Sequence, residues 1–291
     1  MVTGSAGMVG RAVVAHFTCE GERVAAFDSK ALDITDDHKV NAVFDREPPD
    51  VVINCAAWTN VDACELDPHR AQNVNARGPE ILAIACRRLG ALFITISTDY
   101  VFDGEKDGFY TQRDQPNPQS AYAVSKLAGE RRAQSAWART IVVRSGYIFG
   151  AGGKNFLSTV IECALGGESL QAINDSFGTP TYAPHLARQL YRLAQLDLPG
   201  IYHVVNAGEG ASFEEFARRA VGSAGLDVDL VKGVSMRTLR RLASRPRNSR
   251  LRCVLSEAVG LDQMPSWLDA LSDFVSARSS AEVAGASHSP V

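Results

Sequence analysis

The stretch 121–130 reads AYAVSKLAGE and sets a phenol, Tyr122, four positions before an ammonium, Lys126. On a helix these positions lie one turn apart on a single face. A fixed positive charge beside a phenol favours the phenolate and lowers its pKa, the shift that lets a tyrosine exchange a proton near neutral pH. The same spacing also occurs on ordinary solvated helix faces. Whether Tyr122 and Lys126 do chemistry depends on the elements that position them.

The segment 3–10, TGSAGMVG, contains G-x-x-G-x-x-G. Gly4 and Gly7 let the backbone turn tightly and approach a pyrophosphate, while Ala6, Met8 and Val9 lead into a helix whose N-terminal amides face the anion. A strand follows, and Asp28 ends it about 20 residues on, where an acid hydrogen-bonds an adenosine ribose. Asp28 also reads as a plain turn residue, and Lys30 is placed to accept a 2′-phosphate, which leaves NADPH and NADH both open. Only Met1 and Val2 precede Thr3, whereas a strand ordinarily has about 5 or 6 residues. The first strand is either clipped or begins upstream.

The chain has 291 residues, 45% hydrophobic and 22% charged, with a net charge of −3, the make-up of an ordinary globular protein. That balance gives no general reason to expect nucleic acid or an anionic membrane as partner. No apolar run approaches the roughly 20 residues of a membrane helix, and the N-terminus lacks signal-peptide regions, so a cytoplasmic location is expected. The six cysteines form no C-x-x-C pair and read as reduced core thiols.

Strand patterns at 23–27, 50–55, 91–97, 140–144 and 201–205 alternate with helical patterns at 9–20, 38–46, 70–89 and 121–136. Alternation of this kind predicts an α/β fold, a doubly wound parallel sheet covered on both faces, with ligands at the C-terminal strand ends. Those ends carry NCAAWTNVDACE, where small Ala56 and Ala57 let the chain pass under a cofactor, and STDYVFDG, where Thr98 and Asp99 sit at the nicotinamide position. Each has a bland reading as a strand cap or turn.

These motifs, with LDITD at 32–36, NVNA at 73–76, NDSFGTPT at 174–181 and RPRNSRL at 245–251, resemble the dTDP-4-dehydrorhamnose reductase family of extended short-chain dehydrogenase/reductases. The resemblance covers residues 2–275. It implies NADPH- or NADH-dependent reduction of the C4 keto group of a dTDP-linked sugar, with dTDP-4-dehydro-L-rhamnose as the first choice. Tyr122 would protonate the C4 oxygen, Thr98 would donate to it, and Lys126 would hold the nicotinamide ribose. Asp33, Ile34 and Thr59 would join the cofactor-binding set. Thr98, Asp99, Tyr100, Asn155, Phe156, Thr179, Arg245 and Asn248 would bind substrate, Arg245 by pairing with the diphosphate. No metal is required, and a homodimer is a candidate assembly.

Tyr100 stands where sugar-nucleotide dehydratases carry glutamate, which favours reduction over dehydration. Gly146 and Tyr147 depart from the family's tryptophan segment, and Ala12 stands where some relatives use a glutamate for magnesium. Alternatives are a 4-ketoreductase for another dTDP-deoxysugar, or a non-catalytic nucleotide-binding regulatory subunit. The expected organisation is a dinucleotide-binding domain over 1–150, rejoined by a segment near 181–206, a substrate-binding region over 151–275, and a disordered tail at 276–291.

Overall fold

The apolar runs near positions 51 and 92 become the middle of the sheet. The computed structural model describes residues 1–167 and 169–286. The chain runs β1 (Val2–Thr3), α1 (Met8–Cys19), β2 (Ala26–Phe27), α2 (Asp37–Arg46), β3 (Val51–Asn54), α3 (Val61–Leu66), α4 (Pro68–Gln72), a π-helical turn (Asn73–Arg77), α5 (Gly78–Leu89), β4 (Leu92–Thr98), α6 (Ala121–Ala136) and β5 (Thr140–Ser145). It continues through β6 (Ile148–Phe149), α7 (Phe156–Leu165), β7 (Leu170–Ile173), β8 (Phe177–Gly178), β9 (Thr181–Tyr182), α8 (Ala183–Leu196), β10 (Gly200–His203), β11 (Ala211–Ser212), α9 (Phe213–Ser223), β12 (Val231–Val234) and α10 (Trp267–Ala286).

The main sheet has the order β10-β5-β4-β3-β1-β2, with every pair parallel. It is a doubly wound, Rossmann-like α/β sheet. Val13 of α1 and Leu186 and Leu190 of α8 pack with Ile53, Ile94 and Val143 on one face. Phe44 of α2 and Leu82 of α5 pack with Val52 and Phe93 on the other. Each such side chain, fully buried, contributes about 1.5–3 kcal/mol. From β1 the chain goes to β2 on one side and to β3 on the other, so a crevice opens between the ends of β1 and β3. A second lobe, centred on Phe149, Val160, Phe216 and Phe274, forms the other wall.

Three elements differ from the sequence reading. The strand expected at 23–27 shrinks to Ala26–Phe27, because an edge strand pairs only as far as its neighbour extends and β1 offers only Val2 and Thr3. The helix expected over 70–89 breaks into α4, the π turn and α5. Pro79 has no N–H to give the carbonyl of Asn75, and Gly78 bonds back to Asn73 across the wider turn. Finally, α10 continues to Ala286, past position 276, where disorder was expected to start. Alanine and glutamate are good helix formers, and Arg278 reaches Glu162 of α7 at 2.6 Å. Residues 287–291 of that tail lie outside the described residues.

Helix α6 matters most for the site. Ser120 caps it, accepting from the amide of Ala123. Gly129 allows close seating, since a Cβ there would lie 2.1 Å from the carbonyl oxygen of Asn75. Of the cysteines, Cys64 and Cys86 are buried, whereas Cys19 is exposed and departs from the core-thiol reading.

Candidate active site

Two adjoining cavities, of about 430 and 540 Å³, share Gly7, Cys55 and Ala57 and together run along the C-terminal edge of the sheet. The glycine loop explains their shape. Gly4 has φ +68°, and a Cβ on it would lie 2.5 Å from the amide of Ala56. A Cβ on Gly10 would lie 2.2 Å from the oxygen of Gly4. Both glycines are demanded by the fold. Gly7 is different, since the nearest atom to a Cβ there is the oxygen of Gly4 at 3.2 Å. Gly7 is also the N-cap of α1 and makes no side-chain cap, and no acid stands in the first turn. A bare helix N-terminus at the mouth of a glycine cradle suits a pyrophosphate.

The larger cavity is lined by Gly4, Ala6, Asp28, Asp33, Ile34 and Ala56, with Trp58 and Arg70, whose guanidinium lies 4.5 Å from the Trp58 ring centre. Asp28 uses one oxygen to accept from the amides of Lys30 and Ala31, so the turn reading and the position beside the cavity are both true of it. Asp33 likewise accepts from Thr35. Lys30 is not part of the lining.

The other cavity gathers Met8, Val9, Thr59, Thr98, Asp99, Tyr100, Tyr122, Lys126, Asn155 and Phe156. Side chains from α1, β4, α6 and α7 thus meet in one space. The Lys126 ammonium donates to the carbonyl of Ile96 at 2.7 Å, and Thr98 donates to Asp99 at 3.0 Å. Burial raises Asp99 to about 6, opposed by hydrogen bonds from Ser249 and Thr98.

One expectation is corrected here. Tyr122 is not lowered by Lys126: burial pushes its phenol well above the ordinary value, with the Thr98 side chain only partly opposing. Lys126 is itself lowered to about 8 by burial, against the pull of Glu130 and Cys55. Desolvation outweighs the one-turn spacing. Tyr122 therefore stands as a protonated donor.

Arg245, Thr179 and Asn248 line neither cavity. Arg245 forks onto Asp62 at 3.0 and 2.8 Å and helps hold that carboxyl down at about 2. Thr179 bonds the backbone of Leu251, and Asn248 donates to the carbonyls of Lys106 and Gly108. These residues pin the C-terminal segment in place.

Other lining residues escaped the sequence reading: Cys55, Ser145 and Phe213. Tyr147 takes the left-handed φ of 45°, puts its hydroxyl 3.2 Å from Ser176, and leans on Phe213 with ring centres 4.5 Å apart. Gly146 has no Cβ because one would lie 2.4 Å from the Asp99 carboxyl carbon. Phe213 carried no motif and comes from the far lobe.

Residues 1–280 match the family model described as RmlD substrate binding domain. The chain belongs to this family. A dTDP-4-dehydrorhamnose reductase of Streptomyces griseus is 36% identical to this RmlD-family chain over 279 residues, spanning 94% of it and 91% of that protein. A dTDP-4-keto-6-deoxy-D-glucose reductase of Streptomyces niveus is 34% identical over 272 residues, spanning 93% and 94%. The crystal structure of a dTDP-4-dehydrorhamnose reductase from Bacillus anthracis in complex with NADP is similar at a TM-score of 0.90 and 34% identity, covering 94% of this chain and 96% of that one. Among the described residues no helix is long and apolar enough to cross a membrane.

Proposed function

We propose that this protein reduces the C4 keto group of a dTDP-linked 6-deoxy sugar, with dTDP-4-dehydro-L-rhamnose as substrate and NADPH or NADH as reductant. The observation that carries this reading is the meeting of Thr98, Tyr122 and Lys126 in one cavity that runs into the glycine cradle. The reduced nicotinamide supplies a hydride when bound. Tyr122 then gives its proton to the C4 oxygen, and Thr98 steadies the charge that develops there. Lys126 holds the nicotinamide ribose. Gly4, Ala6, Gly7, Met8 and Val9 hold the pyrophosphate, and Asp28, Asp33, Ile34, Ala56, Ala57 and Thr59 line its path. Asp99, Tyr100, Asn155 and Phe156 face the sugar.

We assign cofactor binding to residues 1–150 with the returning segment 181–206, and substrate binding mainly to 151–275. A cytoplasmic location and a homodimer belong to the same proposal. The test is loss of reduced-cofactor absorbance with dTDP-4-dehydro-L-rhamnose and its C4-keto stereoisomers, with the product's C4 configuration determined. Turnover of a different isomer alone would favour the second reading, a ketoreductase for another dTDP-deoxysugar. The name of the Streptomyces niveus relative and the Gly146-Tyr147 segment support that alternative. Cofactor binding with no turnover of any isomer points instead to a regulatory subunit.

Three expected results follow from the geometry. Gly7→Val should weaken cofactor binding at least about 10-fold by filling the cradle, with the melting temperature little changed. Gly10→Ala should instead destabilise the fold. Unchanged cofactor affinity in folded Gly7→Val counts against the cradle.

The kcat/KM for the reduced cofactor reports groups on the free enzyme. It should fall as pH rises through about 8, where Lys126 loses its charge. A profile flat to pH about 10, the ordinary lysine range, would show that Lys126 keeps its charge in the site, and Lys126→Met with unchanged cofactor affinity would remove it from cofactor binding.

Because Arg245 is held by Asp62, Arg245→Ala and Asp62→Ala should weaken sugar-nucleotide binding to a similar extent, by loosening the segment they fasten. If Arg245 held the diphosphate directly, Asp62→Ala would free it and strengthen binding. Titration of dTDP against both variants distinguishes the two roles.

A further inference from the structure

The π turn between α4 and α5 carries Asn75 among its buried residues, and such turns are often found at functional sites. Asn75 is 1% exposed. Its side-chain oxygen accepts from the amide of Trp58 at 2.8 Å, and its nitrogen donates to the carbonyl of Trp58 and to the hydroxyl of Ser125, each at 3.0 Å. An asparagine amide has two donor hydrogens and one acceptor oxygen, and all are engaged. Ser125, 0% exposed, passes the chain on by donating to the carbonyl of Tyr122 at 2.7 Å.

The two ends of this chain differ in kind. Trp58 follows Ala56 and Ala57 and shares the larger cavity's wall with them. Tyr122 stands in the other cavity. Between them the protein places a single amide and a single hydroxyl, while Gly129 seats α6 directly on the backbone of the π turn. The amide closes on both backbone groups of Trp58 as a neighbouring strand would, fixing that wall. The hydroxyl then fixes the α6 turn relative to it.

We propose that Ser125, held by Asn75, is a positioning residue that sets the turn of α6 carrying Tyr122 against the Trp58 wall, so that cofactor placement and proton donation share one reference point. This rests on the proposed ketone reduction. Ser125 touches no reacting atom. Its effect runs through the backbone of Tyr122, and a misplacement of about 1 Å is enough to cost up to 10²-fold in rate.

The test compares Ser125→Ala and Asn75→Asp with the unaltered protein. It reads cofactor affinity by calorimetric titration, kcat and KM for the keto sugar, and the melting temperature. Ser125→Ala releases only the α6 side. Its kcat should fall about 10-fold, with KM and cofactor affinity held within about twofold. Asn75→Asp removes both donors, keeps only the bond accepted from the Trp58 amide, sets a carboxylate against the Trp58 carbonyl, and should weaken cofactor binding together with kcat. If Asn75→Asp does not fold, Ser125→Ala decides alone. Unchanged kcat in Ser125→Ala, or a loss of kcat that only tracks a lowered melting temperature, overturns the proposal. Absence of turnover in the unaltered protein would sink the reductase reading instead, while the titration of Asn75→Asp still tests the link to the cofactor wall.

Discussion

Tyr122→Phe should lose roughly 10²-fold or more in kcat and keep its cofactor affinity, the scale expected when a general acid is removed. The ring of Tyr122 packs with Cys64 and Ala71 and meets Tyr100 edge-on, with centroids 6.1 Å apart. Phenylalanine preserves those contacts, so the fold should survive. What disappears is the hydroxyl beside Thr98, in a cavity where burial keeps the phenol protonated. A donor of high pKa is a poor acid toward a neutral ketone and a good one toward the alkoxide-like oxygen that appears as hydride arrives. Its stabilisation therefore falls on the transition state, and the loss should appear in kcat with little change in KM. Near-normal turnover in this variant would remove Tyr122 from the mechanism.

Arg144→Met should destabilise the protein by about 3–5 kcal/mol, the range for breaking a buried ion pair from one side. Arg144 on β5 and Glu130 on α6 have side chains only 4% and 2% exposed, joined at 3.0 and 2.7 Å, and Ser97 also donates to the Glu130 carboxylate. Without the guanidinium, the carboxylate stays in the interior with the Ser97 hydroxyl as its remaining hydrogen bond and only the more distant Lys126 as a cation. Arg144→Met with Glu130→Leu should recover most of the loss, because apolar replacements of both partners leave no stranded charge. Chemical denaturation of the three proteins checks this. A single-variant loss under about 1 kcal/mol would show that water reaches the pair.

The bounds of α6 were readable in the sequence, because residues 121–136 contain no proline and their one glycine, Gly129, is tolerated where it seats the helix on the π turn. The glycine loop was equally readable, since few structures require glycine at such spacing. Side-chain destinations were harder. The partner of Arg245 is Asp62, 183 positions away, so nothing local marks the guanidinium as already taken. The family pattern gave Thr179 and Asn248 to substrate, whereas the fold spends them on backbone groups of distant loops. The Tyr122 and Lys126 spacing predicted their shared face correctly and the direction of the phenol's shift wrongly. Spacing fixes who stands next to whom, whereas the depth of water exclusion depends on tertiary neighbours such as Cys64 of α3 and Ala71 of α4, which pack on the Tyr122 ring. The π turn was hidden for a similar reason: Pro79 signals a break, but only the seat of α6 shows which way the chain resolves it.

Trp58 carries one more consequence. Of the three tryptophans, Trp137 donates its indole N–H to Ala91 at the foot of the sheet and Trp267 lies in the second lobe's core, which leaves Trp58 as the indole on a cavity wall. Its emission overlaps the absorption of a reduced nicotinamide, and it sits where a dinucleotide would pass. A reduced dinucleotide in the cleft should therefore quench Trp58 most strongly, because energy transfer falls off steeply with distance and Trp58 is the indole on the cavity wall.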